Sequence, residues 1–176
     1  MGDIFLEQIV KKQDGIKDKL RKAIILFVGL LLIVGSIILL FVTGFYNAAP
    51  LGILVLAGAI YYTWYIISGL NLEFEYIYTN GEIDFDKISA KRKRKRVKTI
   101  KIINFLDFGE VNSKTIKEKK FDKVYDLSSY IDNPGTYYCT YKDAENRLCA
   151  ILFSPNENLL AEIEKIYNRH KRVKYD

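Results

Sequence analysis

The most informative feature of this 176-residue sequence is an absence: from Ala23 through Leu72 there is no Lys, Arg, Asp or Glu. Both flanks of that gap are dense in charge, so a mean hydropathy of −0.01 averages two different solvents. Cysteine and histidine are nearly missing. Cys139, Cys149 and the single His170 leave no material for a disulfide framework or a multi-ligand zinc site. There is no Gly-rich phosphate loop, no nucleophile motif and no HExxH helix, and these absences disfavour the enzyme classes that need them. No catalytic residue, cofactor site or metal site is assigned, and a non-enzymatic chain is expected.

What the uncharged block does contain is apolar surface in two runs. Ala23 to Val42 reads AIILFVGLLLIVGSIILLFV, with sixteen of twenty residues Ile, Leu, Val or Phe. At roughly 1.5 Å per residue it covers about 30 Å, the thickness of a hydrocarbon core. Its insertion is favoured by about 5–10 kcal/mol, an upper bound. The second run, Pro50 to Gly69, adds glycine, alanine and an aromatic cluster. Pro50 suits a first helical position, where its missing donor has no partner to lose. Tyr61, Tyr62, Trp64 and Tyr65 fall in the second half, as candidate interfacial anchors rather than a ligand-binding belt. Phe45 and Tyr46 are candidate anchors for the opposite interface.

Thr43 to Ala49 is long enough only for a hairpin turn, so both ends of the pair emerge on one side. Lys17, Lys19, Arg21 and Lys22 precede the first span, Lys87, Lys91 and a basic run follow the second, and the connection carries no positive charge. The expected setting is therefore a membrane crossed twice, with both termini cytoplasmic. The net charge of +6 divides into about +2 before the gap and about +4 after it. A cleaved signal peptide is disfavoured, because the apolar stretch is too long and no A-x-A site follows it. The segment 1–22 is expected to be a cytoplasmic amphipathic helix, with Phe5, Ile9, Ile16 and Leu20 near one face and Gly15 interrupting it.

After Leu72 continuous apolarity gives way to alternation. Glu73–Thr79, Asn80-Gly81 and Glu82–Ile88 predict a hairpin, since Asn-Gly supplies the two positive-φ positions of a type I′ turn. A third strand is predicted over about Arg96–Ile103, and others over Phe121–Leu127, Tyr137–Lys142 and Arg147–Phe153, the last two joined at Asp143–Asn146. Ser154-Pro155-Asn156-Glu157 predicts a helix start capped by serine. Leu159, Leu160, Ile163, Ile166 and Tyr167 form the apolar stripe of that helix. The segment 71–176 thus reads as five to seven antiparallel strands closed by one C-terminal helix.

That order resembles the pleckstrin-homology (PH)-like fold. The segment Tyr76–Arg96 (YIYTNGEIDFDKISAKRKRKR), with EQIVKK near the start, is similar to an uncharacterised family of small two-span membrane proteins of Gram-positive anaerobes with a PH-like cytoplasmic domain. The resemblance implies a helical membrane hairpin plus an α+β domain, a PH-like β-roll or barrel capped by a helix. It implies no activity, because none is assigned to that family.

The run Lys91-Arg92-Lys93-Arg94-Lys95-Arg96 is the candidate contact to anionic lipid headgroups, each cation there gaining about 1 kcal/mol from an anionic leaflet. A solvated strand junction that only sets topology is the plainer alternative. Nucleic acid is disfavoured because no aromatics interleave with the run. Glu73, Glu75, Glu82, Asp84 and Asp86 alternate with apolar residues as an outward polar face that can pair with the adjacent basic strand. Cys139 and Cys149 sit symmetrically about the predicted turn and are expected to pack as small hydrophobes. His170 is expected at the surface. Gly29, Gly35, Gly52 and Gly58 are not at four-residue spacing and support close helix packing only weakly. The expected function is a lipid- or protein-binding module at the inner leaflet. The rivals are an accessory subunit of a larger membrane complex, with a protein partner or a second copy, and an enzyme whose site forms only on folding.

Overall fold

The computed structural model describes residues 4–42, 45–111, 120–130 and 134–175. The chain forms two compact units: Asp14–Asn71, and Met1–Gln13 together with Leu72–Asp176.

The first unit is a pair of helices, α1 (Ile16–Val42) and α2 (Phe45–Leu70). Each contains an 18-residue stretch long and apolar enough to cross a membrane, with mean hydropathy 3.2 in α1 and 1.7 in the Pro50–Leu70 part of α2. Positions 43 and 44 of the expected connection, and the side chains of Phe45 and Tyr46, lie outside the described residues. Pro50 lies inside α2 instead of opening it. A proline this near a helix N-terminus removes at most one backbone bond, so the helix forms on both sides of it. Of the five described glycines in α1 and α2, Gly29 and Gly52 sit at close approaches between the helices. A Cβ on Gly29 would come within 2.5 Å of Thr63 Oγ1, and one on Gly52 within 2.1 Å of Leu40 Cδ2. Gly35 and Gly58 have nothing within 4 Å at that position. The hydroxyls of Ser36 and Thr63 donate to the carbonyls of Leu32 and Ala59 one turn back, which removes the cost of carrying them in an apolar helix.

The second unit begins with a strand where the sequence suggested a helix. Phe5–Lys11 is β1, paired antiparallel with β2 (Leu72–Thr79) over seven residues. Seven residues of mixed polarity fit either period, and the unpaired edge of β2 decides between them. Leu6 and Val10 join the core, while Phe5 and Ile9 remain exposed. Ile16 and Leu20 belong to α1, beyond Gly15. The folded unit is therefore discontinuous in sequence, and 1–13 belongs with 72–176 rather than standing apart.

The remaining strands are β3 (Glu82–Ser89), β4 (Lys93–Lys101), β5 (Asp107–Glu110), β6 (Lys123–Asp126), β7 (Tyr137–Lys142) and β8 (Leu148–Phe153). They build two four-stranded sheets, ordered β1-β2-β3-β4 and β5-β7-β8-β6. Among the described residues all pairings are antiparallel except β6 with β8. The expected barrel is not closed. The chain leaves the first ladder in a 3-10 turn at Ile102–Asn104, and β4 does not pair with β5. The Asn80-Gly81 turn is as predicted, with φ of 47° and 91° between the paired Thr79 and Glu82.

An aromatic triad joins the sheets. Tyr76, Phe85 and Phe153 meet edge to face with ring centroids 5.3–5.8 Å apart. The buried Tyr76 hydroxyl donates to the Leu127 carbonyl and accepts from the Ser154 N–H at 3.2 Å. Burial holds the Tyr76 phenol well above its ordinary pKa, so it stays a neutral donor. The C-terminal helix α3 (Glu157–Tyr175) buries Leu159 and Ile163 in the same core. Its cap is Asn156, whose side chain accepts from the Leu159 N–H at 2.9 Å, and not Ser154. Gln8 of β1 makes the exchange possible by binding both the Ser154 carbonyl and the Asn156 N–H, which ties the first strand to the last helix.

Cys139 and Cys149 are buried and unpaired, but not opposite one another. The ladder sets Cys139 against Ile151 and Tyr141 against Cys149, two residues out of register. Burial raises the Cys139 thiol far above its usual pKa, so it packs as a hydrophobe.

Candidate functional site

The basic run folds into one end of the first sheet. β4 starts at Lys93, three residues earlier than the alternation of the apolar residues suggested, so Lys93–Arg96 are strand and Lys91-Arg92 belong to the turn from β3. A pleated strand sends successive side chains to opposite faces, and the register therefore decides what each cation meets.

One face carries the arginines. Arg94 donates to buried Glu75 of β2. Arg96 pairs with buried Asp86 and, at 2.8 Å, with Asp84, both on β3. Thr99 completes the cluster with a hydrogen bond to Asp84. Three of the five acidic residues, Glu75, Asp84 and Asp86, thus pair with the basic run, but Glu75 and Asp86 are buried, unlike the open polar face the alternation implies. A register shift at Phe85/Asp86 lets Asp86 face Arg96 instead of Val97. Glu75 still titrates above the ordinary carboxylate range: burial is the main cause, the neighbouring Glu7 adds to it, and Arg94 opposes it.

The other face carries lysines. Lys98 is opposite Phe85 and lies 5.4 Å from the Tyr141 ring centre. Lys95 is directly opposite Lys87, and Lys93 is opposite Ser89. Among the described residues no carboxylate pairs with Lys87, Lys91, Lys93 or Lys95. Lys87 was not part of the sequence-defined run. Its alternation with Ile83 and Phe85 marked its face, but only the β3–β4 register reveals its partner.

Across the sheet Ser89 also pairs with Leu72, and the Lys12 N–H donates to the Leu72 carbonyl. This end of the sheet therefore carries Lys11, Lys12, Lys87, Lys91 and Lys93. It is also where β1 runs out towards α1 and where β2 begins one residue after α2.

The other sequence candidates do not join this cluster. Tyr61, Tyr62, Trp64 and Tyr65 are exposed along α2, with Tyr61 6.1 Å from Trp64 and 6.2 Å from Tyr65 between ring centres. His170 is exposed, beside Lys142 and Lys171 in a half-open hollow of about 370 Å³. Among the described residues no group of three His, Cys, Asp or Glu is placed to hold a metal ion.

A family model described as a bacterial PH-like domain (DUF6106) matches residues 2–173, a range that takes in β1, both apolar helices and nearly all of α3. No curated protein and no solved structure matches the chain.

Proposed function

The chain belongs to the bacterial PH-like domain family DUF6106, and on that premise we propose that it is a non-enzymatic binding module, anchored by α1 and α2, whose basic sheet end engages anionic headgroups of the membrane that holds it. The observation that carries this reading is topological. The cations gather at the end of the sheet through which the chain passes to and from its two apolar helices. Each cation held near an anionic leaflet contributes about 1 kcal/mol.

The same pairing supports the sidedness. β1 precedes the helices and β2 follows them, yet they share one ladder. If the helices span, both flanks must lie on one side, and the basic flanks assign that side to the cytoplasm.

The test uses the full-length chain in mild detergent, titrated with dihexanoyl phosphatidylglycerol and dihexanoyl phosphatidylcholine. The anionic lipid should bind more tightly, less so at high salt, and glutamines at positions 91–96 should remove the difference. Equal binding of the two lipids by the unaltered chain would reject the headgroup role.

A protein-binding role draws on a different feature: Phe5 and Ile9 are exposed on β1, an edge strand of the first sheet. A stoichiometric partner that co-purifies and is lost in I9K would favour it. A clean monomer would count against it.

A further inference from the structure

Resting on that reading, we propose that the phosphate-contacting groups of the basic end are the lysines Lys87, Lys91, Lys93 and Lys95, and that Arg94 and Arg96 serve the fold. Three observations converge on this division.

The first is charge already committed. Arg94 and Arg96 neutralise Glu75, Asp84 and Asp86, two of which are buried, and a phosphate could draw them away only by leaving those carboxylates unpaired. Among the described residues the four lysines have no such duty.

The second is a repulsion that no carboxylate compensates among the described residues. Lys87 and Lys95 stand directly opposite each other on adjacent strands, a placement that destabilises a sheet unless an anion lies between or beside the ammonium groups. Lys93 follows on the same face.

The third is a strained turn. Ala90 and Lys91 both adopt left-handed backbone, with φ of 54° and 55°, and the Arg92 N–H closes the turn onto Ser89. This chain uses Asn-Gly, which takes up such angles readily, at the other end of β3. Alanine and lysine do so against a steric cost. Strain of this kind is kept where the surroundings over-determine it, and here it holds Lys91 at the tip of the hairpin beside Lys93. The shared chemistry is a phosphate group held by ammonium donors, from a lipid headgroup or from solution.

The experiment takes the full-length chain in mild detergent with three probes: dihexanoyl phosphatidylglycerol, dihexanoyl phosphatidylcholine and inorganic phosphate. K87Q/K91Q/K93Q/K95Q should lose about fivefold in phosphatidylglycerol affinity per lysine, on the order of several hundredfold in all at low salt. Its sheet unit should melt no lower than that of the unaltered protein. E75Q/R94Q removes an arginine together with the carboxylate it serves, which protects the fold, and should bind within about twofold of the unaltered chain. A90N/K91G should melt higher yet bind about fivefold more weakly. If the lysine variant kept its preference for phosphatidylglycerol while E75Q/R94Q lost it, the division proposed here would be overturned and the headgroup role would stand. If the unaltered chain showed no preference for phosphatidylglycerol, the headgroup role itself would fail. Inorganic phosphate competing as well as the anionic lipid would retain the lysine site and overturn the lipid as its source.

Discussion

The two units satisfy the same backbone by opposite means. In α1 and α2 the peptide groups bond four residues away within the helix, the Pro50 position excepted, so the helices need no distant partner and tolerate an apolar surround. In the sheet unit the partners are remote: Phe5 pairs with Thr79 and Lys11 with Glu73, with the entire helical unit between them in sequence. The helices can therefore change without disturbing their own hydrogen bonding, whereas the sheet unit depends on a strand that lies on the far side of the helices in sequence. The contrast extends to charge. The helical unit omits it through its apolar runs, and the sheet unit buries Glu75 and Asp86 and answers them with arginine.

The sharpest way to break the comparison is to remove residues 1–11. The sheet unit would lose Val10 from its core, both Gln8 bonds and a whole ladder. Domains have only about 5–15 kcal/mol to lose. Cooperative melting of the sheet unit should disappear while helical circular dichroism from α1 and α2 persists; an unchanged melting transition would mean that β1 is dispensable.

Next in size is R94Q, which leaves buried Glu75 without its cation. A loss of about 2–3 kcal/mol is expected, below the value for a fully buried pair because Arg94 is half exposed to water. E75Q should behave oppositely. Because burial raises the folded-state pKa of Glu75 above its ordinary 4.5, ionisation costs more in the folded chain than in the unfolded one. The penalty is absent well below pH 4.5, grows as pH rises through the raised value and is complete above it. At neutral pH, E75Q should be at least as stable as the unaltered protein, and urea melts should show the gap closing on acidification.

Y76F is smaller. It strands the Leu127 carbonyl and the Ser154 N–H in the core and should cost about 1–2 kcal/mol by chemical denaturation. The smallest effect on the sheet unit is expected from G29L/G52L, which forces α1 and α2 apart at their two close contacts. Spin-label distances between the helices should lengthen, with the melting of the sheet unit unchanged within about 0.5 kcal/mol. A concerted loss of both would show that the units are not independent.

The strands were legible where a local pattern carried them. Asn80-Gly81 fixed the β2–β3 hairpin, and the β7–β8 pair follows from alternation around Asp143–Asn146. β5 and β1 escaped. Asp107–Glu110 is four residues long with a glycine in it, and Phe5–Lys11 is amphipathic at either period until β2 is present to pair with it. The helix cap moved from Ser154 to Asn156 because Gln8, far away in sequence, holds the turn between them. The candidate site was half readable. Its run of cations is plain in composition, but the separation of arginine from lysine depends on a register shift at Phe85/Asp86 that no local pattern announces.

The sequence alone determined that the uncharged block would hold two long apolar helices and that strands and then a C-terminal helix would follow it. Charge-free composition and side-chain period are properties of neighbouring residues. Only the tertiary structure decided that the first strand precedes the helices, that the sheets stay open, and which cations meet carboxylates. Those outcomes depend on which distant backbone and which opposing side chain occupy the same space, and one residue of register reverses the face every side chain meets.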